Sequence, residues 1–276
     1  MQGFGIPIVA SPVLSLLEAD RITISNNSSD TANDLDFSAG RSVLQNAAGD
    51  RRVVVFPAPI TKQIDASWAL GTNQGGLDAG SVADGTYHAF VIFNSVSGLT
   101  NAIFSNSLTP TLPVGFGWWR RVGSFTRVSS VNRSFAQFGR YFQFATRIRA
   151  LDNYAVSTSG ELIVLPVPTG LSVRAHGTLS LGGGPADSSN LLVLVLGGNL
   201  TGTIPDARPT LGTFGATVGH RRDASYSGIA TGGGTVSEIV RTTNTSGQLY
   251  FRRSGTYQSG SAQTTFQIHG YEDVLL

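Results

Sequence analysis

"TYHAFVIFNSVSGLTNAIFS", residues 86–105, decides the fold class. From Tyr87 to Phe93 apolar residues fall at odd and even positions alike, so both faces of an extended segment need cover. "SGLT", 97–100, supplies turn chemistry, and "NAIFS", 101–105, is a second apolar run that pairs back across it. The pattern predicts a hairpin buried on both sides.

The surroundings repeat that texture. Upstream, "RITISNN", 21–27, alternates and then breaks into the polar turn "NSSDTAND", 27–34. "RRVVVFPAPI", 51–60, reads as a strand ended by proline. "TKQIDASWALG", 61–71, is the best candidate for a helix or an irregular segment, with Thr61 as its cap, and "TNQGGLDAGSVADG", 72–85, reads as loop. Downstream, "RYFQFATRIR", 140–149, alternates with period two. At 150–160 the texture turns polar and aperiodic, which marks a boundary. Beyond it seven runs follow: "ELIVLPVP", "LSVRAHGTLSL", "NLLVLVLGG", "TLGTFGATVG", "TVSEIVRTTN", "QLYFRRS" and "TTFQIHGYEDVLL". Stretches such as "RRDASYSG", 221–228, separate them as turns. The expected fold is mainly β: an N-terminal β-rich domain over 20–155, then a C-terminal antiparallel β-sandwich of jelly-roll type over 160–276. Residues 1–19 read as an apolar arm that packs on a neighbour or serves as a first strand.

Composition narrows the chemistry. Charged residues are 13% of the 276, about half the usual share, and Gly is 34. Lys62 is the only lysine; Glu18, Glu161, Glu238 and Glu272 are the only glutamates. Surfaces hidden between subunits are depleted in these residues and keep arginine; arginine-favouring base composition gives the same picture. Arginines come as separated doublets, 51–52, 120–121, 221–222 and 252–253, with no long basic track for nucleic acid. The N-terminus lacks a basic region ahead of its apolar residues and makes a poor signal peptide, which fits synthesis in the cytoplasm without one. "LLVLVLGG" stops well short of the ~18 residues of a membrane span.

There is no cysteine, so thiolate metal sites are excluded. His88, His176, His220 and His269 show no ligand spacing. Asp34 and Asp36 share a strand face, yet calcium wants six or more oxygens. No GxSxG motif occurs, and "GGLDAG" and "LGGGPA" lack the lysine or the strand–helix context of a phosphate loop. A glycosidase needs two facing carboxylates, and the thirteen Asp and four Glu leave that rival open. No catalytic residue, metal or cofactor is expected. Carbohydrate binding fits better, because sugars pair an aromatic platform with Asp, Arg or His partners. "GHRRDASYSG" gathers His220, Arg221, Arg222, Asp223 and Tyr226; "SGTYQSGS" offers Tyr257; "QLYFRRS" places Tyr250 and Arg252 on one face of a strand. The bland alternative is ordinary loop composition.

The first block also resembles a known family. Asn33-Asp34-Leu35-Asp36, Ile64-Asp65-Ala66-Ser67-Trp68 through Gly80, Asp84-Gly85-Thr86-Tyr87-His88, then Pro110, Pro113, Gly115, Phe116 and Arg120-Arg121-Val122-Gly123 follow one another in order over about 20–130. This resembles a domain of tailed-bacteriophage structural proteins of the fibre and head-spike type, and of phage-derived gene transfer agents. The resemblance implies a strand at 118–123 that closes the domain, with Trp118, Arg120 and Val122 on one face and Trp119, Arg121 and Gly123 on the other. Trp68, Trp118, Trp119, Arg120 and Arg121 are then core or subunit-contact residues. It further implies a homotrimer, an arm held by a base protein of the particle, and a tip that binds host surface polysaccharide without cleaving it. A depolymerase tailspike and a purely architectural virion component are the alternatives.

Overall fold

The structure is a computed structural model that describes residues 21–156, 159–182, 192–198, 224–228, 235–254 and 263–273. Strands β1 (Ile24–Asn26), β2 (Asp34–Phe37), β3 (Gly40–Asn46), β4 (Arg51–Phe56), β5 (Ile60–Ser67), β6 (Gln74–Leu77), β7 (Gly85–Phe93), β8 (Thr100–Ser105) and β9 (Trp118–Val128) lie in one sheet. Their order is β1-β2-β5-β6-β8-β7-β9-β3-β4, with β10 (Val131–Asn132) paired to β9. A second sheet runs β11 (Phe135–Phe138), β12 (Tyr141–Tyr154), β19 (Gln263–Glu272), β14 (Arg174–Gly182), β17 (Thr235–Thr242). A third runs β13 (Glu161–Val164), β18 (Gln248–Ser254), β15 (Leu192–Leu196), β16 (Ala224–Gly228). The fold is mainly β, as the patterning implies. Strand pairing is antiparallel except for β5–β6 and β6–β8.

The hairpin read at 86–105 is β7–β8, in register from His88↔Ser105 to Phe93↔Thr100. Asn94 holds its turn: its Oδ1 accepts from the Val96 and Ser97 amides at 3.0 and 3.1 Å. Both faces of β7 are covered, for different reasons. Tyr87, Ala89, Val91 and Phe93 face the main core, while Phe90 and Ile92 join Ile103 and Phe116 in a smaller cluster roofed by Trp68, Leu112 and Trp119. The proline-rich 110–117 segment is therefore a lid on the hairpin.

A ladder of rings ties the first sheet to the second: Phe37–Phe104 (5.7 Å), Phe104–Phe125 (5.7 Å), Phe125–Phe135 (6.4 Å), Phe135–Phe142 (5.4 Å) and Phe142–Tyr271 (5.0 Å). Such rings bury large apolar area and favour tilted or offset contacts. The second sheet packs on the third through Phe251 and Phe266, edge to face at 5.3 Å. The sandwich takes in β11 and β12, which precede the change of texture at 150–160.

Three local expectations are corrected. Thr61–Gly71 is no helix: most of it is β5, with Lys62 and Ile64 buried on one side. The period is two, but a lysine occupies a core position and masks it. Within the expected loop 72–85, Gln74–Leu77 forms β6. A Cβ at Gly75 would lie 2.0 Å from Ser67 O, and one at Gly76 2.8 Å from the Phe104 ring, so these glycines admit close strands rather than make a turn. In "RRDASYSG", Ala224–Gly228 is β16, paired with β15. The run at 210–219 and the arm at 1–19 lie outside the described residues.

Candidate functional site

The side chains of the ordered motifs over 20–130 hold turns and pack between strands. Asp84 accepts from the Ser129 and Ser130 amides at 2.6 and 2.8 Å, fixing a turn in which both serines have positive φ (53° and 62°). Asp78 accepts from the Thr111 amide at 2.8 Å and pins the start of the proline lid. Asp36 accepts from Asn27 Nδ2 and Thr61 Oγ1 at 2.8 and 2.6 Å. Trp68 Nε1 donates to Ala102 O at 3.1 Å and meets Phe116 edge to face. A Cβ at Gly123 would strike Ile24 Cδ1 at 2.8 Å and Phe142 Cζ at 2.9 Å, so this glycine lets β1 and the second sheet close on β9. These motif side chains go into turns and packing.

Trp118 packs against the main core and Trp119 against the smaller cluster, both half-buried. Arg120 Nη1 donates to Val43 O at 3.3 Å. Burial, then the neighbouring charges of Arg21, Arg140, Arg51 and Arg121, pull its pKa down. Arg121 forms a two-pronged ion pair with Asp273, fully buried, and also donates to Ser124 Oγ at 2.6 Å. His88 Nδ1 lies 2.8 Å from the same Oγ, and Tyr271 OH donates to Ser124 O. Burial first and the Arg121 charge second push His88 down to about 4, against Asp273. Burial also raises Tyr271 well above its usual value. Ser124, His88 and Asp273 suggest a hydrolase by type, but all three are sealed from solvent and the carboxylate grips Arg121 rather than the imidazole, so the cluster serves as a polar rivet between sheets.

Lys62 is the fully buried sole lysine. Its Nζ donates to Ala69 O at 2.6 Å and Gly71 O at 3.2 Å, beside the Trp68 ring, and burial lowers its pKa to about 8. Asp34 Oδ1 is buried with no partner among the described residues, and burial ahead of Asp30, Asp65 and Asp36 raises its pKa. Among the described residues no group of three His, Asp or Glu stands placed to hold a metal ion.

His220, Arg221, Arg222, Asp223 and Tyr257 lie outside the described residues. Two other positions of that set, and Arg252 with them, meet in the third sheet. Tyr226 of β16 stands opposite Leu194 of β15, which stands opposite Arg252 of β18; Leu196 stands opposite Tyr250. Because residues two apart share a face, positions 226, 250 and 252 fall on one side of the sheet. The intervening Leu249, Phe251 and Val195 are buried in the core on the other. Tyr250 is half-buried and donates from its hydroxyl to Ser159 O at 3.0 Å. Exposed Leu162 and Val164 of β13 extend the same face, opposite Tyr250 and Gln248. Two tyrosine positions and an arginine thus share an outward face, an arrangement that suits a sugar ring.

No family model matches this chain, and no curated protein matches it. Among solved structures it is similar to the one described as the crystal structure of the T13 IBDV viral particle, at 16% identity and a TM-score of 0.24 over 91% of this chain and 67% of that one. At that score the likeness carries no argument about function.

Proposed function

We propose that this chain is a structural building block of a phage or gene-transfer-agent particle, displayed on the particle surface. In this reading the outer face of its third sheet, together with His220, Arg221, Arg222, Asp223 and Tyr257, binds host cell-surface polysaccharide without cleaving it. The particle assignment is supported by the ordered motif likeness over about 20–130, and by motif side chains that hold turns and close strands rather than converge on a reactive centre. The attachment role is supported by one observation: in strand register, position 226 falls on the same side of the sheet as Tyr250 and Arg252. Assembly as a homotrimer and seating of residues 1–19 in a base protein belong to the same proposal. Repeated weak sites then combine by avidity.

The test is retention on immobilised capsule or lipopolysaccharide glycans. Tyr226→Ala with Arg252→Ala is expected to lower retention at least tenfold while mass by light scattering and the melting temperature hold. Equal retention of the double variant would reject the face. A shortened polysaccharide after incubation would favour the depolymerase instead. A folded wild type that retains no glycan would leave the architectural role alone, which the structural use of the motif residues favours.

A further inference from the structure

β4 ends the first sheet, and among the described residues its outer edge has no strand partner. It is an unguarded edge: "RRVVVF" is rich in β-branched residues, pairs with β3 over six positions without a bulge, and carries charge only at its first two positions. Edge strands of this kind template the addition of another strand unless proline, charge or a bulge blocks them. Val53 and Val55 point away from the core, 52% and 54% exposed.

The hydrogen-bond phase shows which groups point away from β3. Asn46 N donates to Asp50 O at the mouth of the β3–β4 hairpin. Alternation then directs the amides and carbonyls of Arg52, Val54 and Phe56 toward β3, and those of Arg51, Val53 and Val55 toward the open edge.

From this phase we infer that β4 pairs with β4 of a second copy, antiparallel, about a two-fold axis at Val54. A two-fold axis normal to the sheet keeps each face on its own side, so only registers matching odd with odd positions are allowed. The Val54 register puts Val53 opposite Val55 of the second copy, and both carry outward-pointing bonding groups. It brings four valines together on the exposed face. Arg51 falls opposite Pro57 of the second copy, which has no N–H, so the pairing stops there. The two copies of Arg52 stand roughly 13 Å apart, beyond the screening length of about 8–10 Å, so like charges do not oppose the contact. The strand is complementary to itself, which selects a second copy over an unrelated peptide. This contact is independent of the polysaccharide face and leaves a three-fold contact to other surfaces.

The chain has no cysteine, so introduced thiols report the register cleanly. Val53→Cys chains mixed with Val55→Cys chains are expected to form a mixed disulfide dimer under mild oxidation. Either alone stays uncross-linked, because like positions lie about 8–9 Å apart, beyond disulfide reach. The double variant Val53→Lys with Val55→Lys is expected to halve the mass in sedimentation velocity at an unchanged melting temperature. No cross-link in the mixture, self-cross-linking of Val53→Cys, or an unchanged mass in the lysine variant would each overturn the inference. The Tyr226→Ala with Arg252→Ala variant is expected to leave the cross-link and the mass unchanged, so failure here is distinguishable from failure of the attachment reading.

Discussion

Acidifying the protein from pH 7 to pH 4 is expected to strip out a stability contribution assignable to His88. The imidazole is 2% exposed, with Nδ1 2.8 Å from Ser124 Oγ, and Arg121 donates to that same oxygen. Burial and the Arg121 charge hold its pKa at about 4, against 6.5 for an unfolded chain. Between those values the unfolded state binds the proton and the folded state refuses it. The folded pKa is depressed, so the contribution is complete above pH 6.5, falls as pH drops through the window, and is gone below about 4. At about 1.4 kcal/mol per pH unit, the gap from 6.5 to 4 amounts to about 3 kcal/mol. The control is His88→Gln, which cannot titrate. It starts less stable at pH 7, by about 1–3 kcal/mol for the altered buried hydrogen bond, but loses less on acidification. Urea unfolding followed by circular dichroism at pH 7, 6, 5 and 4 reads the difference. His176 and His269, also lowered by burial, and Asp34, raised by it, act in both proteins and cancel. Curves that fall in parallel for the two proteins would refute the buried, neutral His88.

Asp273→Asn leaves the Arg121 guanidinium without its carboxylate in a sealed site and is expected to cost about 3–5 kcal/mol in urea unfolding; a loss under about 1 kcal/mol would show that the pair is not buried in solution. Gly123→Ala forces a methyl onto Ile24 and Phe142 and is expected to lower stability by about 1–3 kcal/mol, read as a lower melting temperature. An unshifted melting temperature would mean that β1 and the second sheet do not close on β9 as described.

Much of the strand content was legible because alternation and turn residues are local signals. β7, β8 and β9 stand where patterning or the family likeness places them. β5 is hidden because its buried position 62 is a lysine, satisfied by the carbonyls of Ala69 and Gly71 and the Trp68 ring that the fold brings over it. β6 was hidden because its glycines answer to Ser67 and Phe104, not to their sequence neighbours. At the candidate site, strand parity alone places Tyr250 and Arg252 on one face. Tyr226 could not be joined to them, since that needs β15 lying between β16 and β18.

By itself the sequence determined the fold class, the hairpin at its heart, the absence of thiol chemistry and the scarcity of surface charge, all properties of composition or of neighbours within a few residues. Only the tertiary structure decided that Arg121 belongs to Asp273, 152 residues away, that His88 is sealed beneath them, and that β4 ends the first sheet among the described residues. These are facts of pairing between distant segments. Local patterning is degenerate with respect to partner, because any apolar strand face can cover any other until sheet order and register choose one.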